Sequence, residues 1–74
     1  MDIKEILKRY IDKPIIIHYA NPISGEQDSI SGILRSVEDD IIKMEYIDGT
    51  IVYLTNIIVY RVDIIPRNVK ILDH

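Results

Sequence analysis

The sequence predicts a mainly β fold: one N-terminal α-helix, then a five-stranded, strongly bent antiparallel sheet that closes into a small barrel. Three observations carry this. The apolar fraction is 47% and consists mostly of isoleucine, valine and tyrosine, side chains that suit pleated, half-buried surfaces better than helices. Helical apolar spacing is confined to the first dozen residues, and short β-branched runs follow Pro14. Gly, Asp, Asn and Ser punctuate the remainder at short intervals, as tight turns between short strands require.

Residues 2–12 read as the helix. Ile3, Ile6, Leu7, Tyr10 and Ile11 form one apolar stripe. Asp2 is a suitable N-cap, and Glu5 three residues on completes a capping-box pattern. Lys8, Arg9 and Lys13 fall towards the negative end of the helix dipole, and Pro14 favours an extended Lys13, which ends the helix by about Asp12.

The barrel spans about residues 14–66. Pro14–Ala20 is the first strand, and residues 21–29, with Asn-Pro and Ser-Gly, form a polar loop. Ile30–Val37 is the second strand. Gly32 inside it marks a bulge, a bend or a close backbone approach, so this position is expected to be bent and crowded. Glu38, Asp39 and Asp40 make a tight turn into Ile41–Ile47. Asp48-Gly49 then reads as a two-residue type I′ hairpin turn. Thr50–Leu54 is the fourth strand, Thr55-Asn56 a brief break, and Ile57–Ile65 the fifth strand, stopped by Pro66. In that last strand Ile58, Tyr60, Val62 and Ile64 are expected to face the barrel interior, which leaves Ile57, Val59 and Ile65 for the opposite face. Residues 67–74 are a C-terminal tail, and residues 1–74 make a single domain.

Composition narrows the function. A chain of 74 residues buries only about 60% of its unfolded surface. Without cysteine there is no disulfide, and His18 and His74 are too few for a zinc site. Self-association is the remaining way for so small a domain to gain stability. The net charge of −3 is unevenly spread, with slightly basic ends and an acidic middle. That distribution disfavours non-specific nucleic-acid binding by a monomer, which rests on many Lys/Arg–phosphate contacts. The charged N-terminus does not read as a signal peptide, and no apolar run approaches a membrane span. A soluble, cytoplasmic protein with no membrane association is the expectation.

No catalytic constellation is legible. The serines lack a nucleophile-elbow context, and there is no P-loop or dinucleotide fingerprint. The acidic run 38–40 reads as a solvated turn rather than a metal site, because adjacent acids do not converge on one centre. His18, flanked by Ile17 and Tyr19, reads as a surface or interface strand position. The sequence therefore predicts a non-enzymatic protein with no cofactor.

The segment Ile30-Ser31-Gly32-Ile33-Leu34-Arg35-Ser36-Val37-Glu38-Asp39-Asp40-Ile41-Ile42-Lys43-Met44 resembles the first Sm motif of the Sm-like (LSm/Hfq-like) small β-barrel family. Gly32, Ser36 and Glu38 keep the spacing of a Gly, a Ser and an acid in the bacterial Sm-like RNA chaperone Hfq. Val52-Tyr53-Leu54-Thr55-Asn56-Ile57 falls where that chaperone has Val-Tyr-Lys-His-Ala-Ile. The likeness runs from about Ile3 to Pro66 and implies an Sm-like (SH3-like) barrel. It also implies a homo-oligomeric ring of five to seven subunits joined through the fourth and fifth strands. Leu54-Thr55 replaces the Lys-His pair that meets uridine-rich RNA, so the uridine pocket is atypical. Tyr53, which can stack on a base, and Asn56, which can hydrogen-bond one, are carried over as candidate RNA-binding residues. Lys8 and Arg9 are candidate phosphate contacts. The candidate oligomer interface is Ile51, Tyr53, Ile57, Val59, Arg61 and Ile65. Two functions stand side by side: an RNA-binding ring, or a structural protein–protein interaction module that keeps the fold without binding RNA.

Overall fold

A computed structural model describes residues 3–65. The Asp2 cap, the Pro66 stop and the tail 67–74 lie outside the described residues. The chain forms a short helix and five strands: α1 (Ile3–Lys8), β1 (Pro14–Ala20), β2 (Gln27–Glu38), β3 (Ile41–Glu45), β4 (Ile51–Thr55) and β5 (Ile58–Ile64). All pairings are antiparallel, and the sheet order is β4-β3-β2-β1-β5.

The expected barrel is not closed, since β4 and β5 end the sheet on opposite sides and do not pair. The sheet is nevertheless strongly curled. In a flat sheet the outer two of five strands stand roughly 19 Å apart, at about 4.8 Å per spacing. Here only Asn56 and Ile57 link them, a connection that spans about 10 Å when extended. Asn56 takes the left-handed conformation, with φ 54°, and this sharp turn carries β5 away to pair with β1 instead of β4.

Two bulges and one glycine produce the curl. Leu34 pairs with Met44 and Ser36 with Lys43, so Arg35 is an extra residue in β2. Tyr19 pairs with Val59 and His18 with Arg61, so Tyr60 is an extra residue in β5. An extra residue bends a strand and changes which side chains face inward from there on. Gly32 lies where the bent strand closes on β3. A Cβ there would stand 2.7 Å from the carbonyl oxygen of Glu45, so the crowding expected from sequence is present and is backbone in kind.

The core lies on the concave face. Leu7 of α1 meets Ile15 and Ile17 of β1, Ile30, Leu34 and Val37 of β2, Ile42 and Met44 of β3, and Leu54 of β4. The helix is shorter than its apolar stripe suggests. After Lys8 the chain tightens through bonds from the N–H of Arg9 to the carbonyl of Ile6 and from Tyr10 to Leu7. Asp12 then reverses it at φ 70° and donates its N–H to Leu34. Ile11 is consequently exposed, whereas Ile3 and Tyr10 pack on the core.

Two loops differ from expectation. Residues 27–29 belong to β2 and not to a loop, because Asn21 folds the chain back early. Its side-chain oxygen accepts the N–H groups of Ile23 and Ser24, and its N–H bonds the carbonyl of Glu26. The β3–β4 connection spans residues 46–50, closed by a bond between Tyr46 and Thr50 around three central residues, and is not a two-residue type I′ turn. A type I′ turn needs positive φ at both central residues, and only Gly49 has it, at 92°. Tyr46 donates its N–H to Thr50 and accepts that of Gly49, while Asp48 accepts the N–H of Thr50.

Candidate functional site

Among the described residues the strand order leaves two sheet edges unpaired, β4 and β5, and of the residues singled out from sequence Ile51, Tyr53, Val59 and Arg61 stand on them. On β4, Ile51 and Tyr53 face outward; Tyr53 is 62% exposed. Val52 and Leu54 face the core. Along β5 and just before it the inward set is Ile57, Val59 and Val62, all packed on the core. Ile58, Tyr60 and Ile64 are 55%, 51% and 57% exposed.

This overturns the expected facing of the first half of β5: Ile58 and Tyr60 are exposed, and Ile57 and Val59 pack on the core, whereas Val62 faces inward as expected. The cause is the extra residue Tyr60. It places Val59 and Val62 on one face although three positions separate them, whereas uninterrupted alternation would put them on opposite faces. Ile64 pairs with the fully buried Ile15, so it shares the inner face, yet among the described residues no element covers it. Ile65 is half-buried, and its N–H reaches the carbonyl of Pro14 at 3.1 Å.

The convex face of β1 and β5 holds a polar cluster absent from the sequence expectations. His18 Nε2 lies 2.9 Å from Asp63 Oδ2, and Arg61 Nε reaches the same oxygen at 3.1 Å. The Tyr60 ring stands 6.3 Å from the His18 ring. The hydrogen bond with His18, and after it the one from Arg61, holds the Asp63 carboxyl below the usual carboxylate range, against an opposing push from burial. Arg61 is thus engaged within its own subunit. The cluster was hidden because its members come from strands more than 40 residues apart. Its only sequence signal is the alternation Arg61, Asp63 on the face opposite Val62.

A second charged group is structural. Arg35, the extra residue of β2, donates to Glu45 at 2.9 Å and to Asp12 at 2.8 Å. It ties the left-handed turn after α1 to the end of β3.

The candidate RNA residues do not converge. Asn56 lines an open groove of about 530 Å³ between α1, the β1–β2 loop and the start of β5; Tyr53, Lys8 and Arg9 do not. Lys8 pairs with Glu5 at 3.7 Å. Along the same groove Lys4 meets Asp40 at 3.3 Å, so one acid of the run 38–40 is paired. Among the described residues, no group of three or more His, Asp or Glu side chains is arranged to hold a metal ion. Among the same residues, no helix is long and apolar enough to cross a membrane.

Fold and edges together define a class: a small, mainly β domain with a short N-terminal helix and an antiparallel sheet open at both ends. No family model, curated protein or solved structure matches the chain.

Proposed function

We propose that this protein is a non-enzymatic, Sm-like binding module that assembles with itself, β4 of one copy adding to β5 of the next. The observation that carries the reading is the pair of free edges, both bearing exposed apolar side chains: Ile51 and Tyr53 on one, Ile58, Tyr60 and Ile64 on the other. An uncovered apolar edge is a template for another strand. Neighbouring strands would also extend the core, because the inward residues Val52 and Leu54 of β4 are matched by Val62 and the exposed Ile64 of β5. Such a contact is head-to-tail, and head-to-tail contacts close into rings when the rotation allows. The Sm-like resemblance implies the same two strands and a ring of five to seven subunits. Shared core also offsets the small buried surface of a single copy.

The ligand of such an assembly is the second part of the reading. The acidic middle of the chain and the dispersal of Tyr53, Asn56, Lys8 and Arg9 favour a protein-interaction role. The exposure of Tyr53 beside the β4 edge favours base stacking and hence an RNA ring. Polarisation of labelled poly-U and poly-A at two salt concentrations separates the two.

Light scattering at micromolar concentration tests assembly. The wild type is expected at a multiple of 8.6 kDa, and Ile64→Lys is expected to remain folded and dissociate, since the side chain leaves no core contact behind. A folded 8.6 kDa wild-type monomer would overturn the proposal.

A further inference from the structure

The facing of β4 and β5 fixes which side chains meet when one edge adds to the other. β4 alternates without interruption: Ile51, Tyr53 and Thr55 face outward, Val52 and Leu54 inward. β5 alternates in the same way only beyond its extra residue, Tyr60. From there Arg61, Asp63 and Ile65 lie on the convex side, and Val62 and Ile64 on the concave side. The two five-residue runs therefore match one for one. A shift of one residue would set inward side chains of one strand against outward ones of the other. A shift of two runs into the extra residue at one end, and at the other carries two residues of β4 past Ile65, beyond β5.

Full overlap puts Tyr53, the middle residue of one run, opposite Asp63, the middle residue of the other. This holds whether the two strands run parallel or antiparallel. Arg61, two positions from Asp63 on the same face, is then a diagonal neighbour of Tyr53 in either direction, about 7 Å away and within reach of a long side chain. Arg61 is electrostatically suited to that place. Among the described residues only its Nε is engaged, by the Asp63 carboxylate, and 65% of the side chain is exposed. A guanidinium held at one edge by a carboxylate keeps its flat faces for the negative face of an aromatic ring.

We infer that Tyr53 of one copy completes the His18–Asp63–Arg61 cluster of the next, standing opposite Asp63 with its ring against the Arg61 guanidinium. The inference rests on the proposed addition of β4 to β5 and names the side chains that set its register. It commits Tyr53 to a second copy of this chain and not to a nucleic-acid base.

The chain has no cysteine, so introduced thiols report neighbours directly. Full-length Tyr53→Cys and Asp63→Cys chains, purified separately and mixed at micromolar concentration, are expected to form a mixed disulfide under mild oxidation, identified by mass. Both positions lie outside the buried core, so folding, checked by circular dichroism, is retained. The control mixes Tyr53→Cys with Ile58→Cys, which precedes the extra residue on β5 and is 55% exposed. The Asp63 pair is expected to oxidise at least about tenfold faster, because the register holds only that pair in contact. Equal rates in a protein that light scattering finds assembled would overturn this inference and leave self-assembly standing. A wild type that scatters as a monomer of 8.6 kDa would overturn both. A double-mutant cycle reads the ring–guanidinium contact with Asp63 in place. Tyr53→Leu and Arg61→Met are each expected to weaken assembly, and the double variant to weaken it at least about threefold less than the product of the two. Independent effects of the two substitutions would overturn the inference.

Discussion

β2 and β5 each carry one extra residue, and they use it in different settings. β2 is paired on both sides, by β1 and β3, and its bulge at Arg35 is clamped by Asp12 and Glu45. The flanking Leu34 and Val37 are fully or nearly fully buried. Among the described residues β5 is paired on one side only. Its bulge at Tyr60 is exposed, and Val59 and Val62 are only half-buried. The same local device thus has two consequences. In the interior it bends the sheet over its core. At the edge it selects what the strand offers to solvent or to another chain, turning Ile58 and Tyr60 outward beside the His18–Asp63–Arg61 cluster. What separates the two cases is the number of neighbours that hold the strand.

Substitutions sharpen this contrast. The largest effect is expected at Gly32, beside the interior bulge. Gly32→Val would push a Cβ against the Glu45 carbonyl, a backbone atom with little room to yield. A loss of about 3 kcal/mol or more in denaturant unfolding is expected. A loss below about 0.5 kcal/mol would mean that the bend is not held at this point.

Paired truncations come next. Leu34→Ala removes a side chain with no exposure and should cost about 3 kcal/mol. Val62→Ala, on the half-buried edge, should cost about 1 kcal/mol. Equal losses in urea titrations would erase the difference between the interior and edge strands, and would argue that β5 is as enclosed as β2. Concentration dependence of the Val62→Ala loss would trace such enclosure to a neighbouring subunit.

The smallest effect belongs to the edge cluster and is read through pH. Asp63 is held below the ordinary carboxylate value, chiefly by its hydrogen bond with His18. A depressed carboxylate contributes stability that is present above its ordinary value, about pH 3.9, and is lost as pH falls through the lowered one. The melting temperature of Asp63→Asn should therefore lie below that of the wild type at pH 5, and the gap should narrow as the pH is lowered towards 2. A gap that widens on acidification would contradict the assignment.

Much of the architecture was legible in the residues. The positions of five strands, the Gly32 crowding and the helix before Pro14 follow from local preferences: β-branched runs, a glycine that no side chain can replace, and a proline that ends a helix. Local errors had local causes. Asn21 folds the loop back within six residues, and Gly49 alone takes positive φ in a turn that seemed to need two such residues. The facing of the first half of β5 does not follow from alternation, because the ladder is interrupted at Tyr60. The spacing of three between Val59 and Val62, matched by that between Leu34 and Val37, was the available sign of a bulge.

By itself, then, the sequence determined where the chain extends, where it turns and which stretches are apolar, because those properties depend on neighbours a few residues away. Only the tertiary structure decided that the sheet stays open, that β4 and β5 are its edges, and that Asp63 meets His18 and Arg35 meets Asp12 and Glu45. Each depends on the pairing register of strands distant in sequence. One extra residue in a ladder reverses which side chains face the core, and the composition of the strand does not show where that residue will fall.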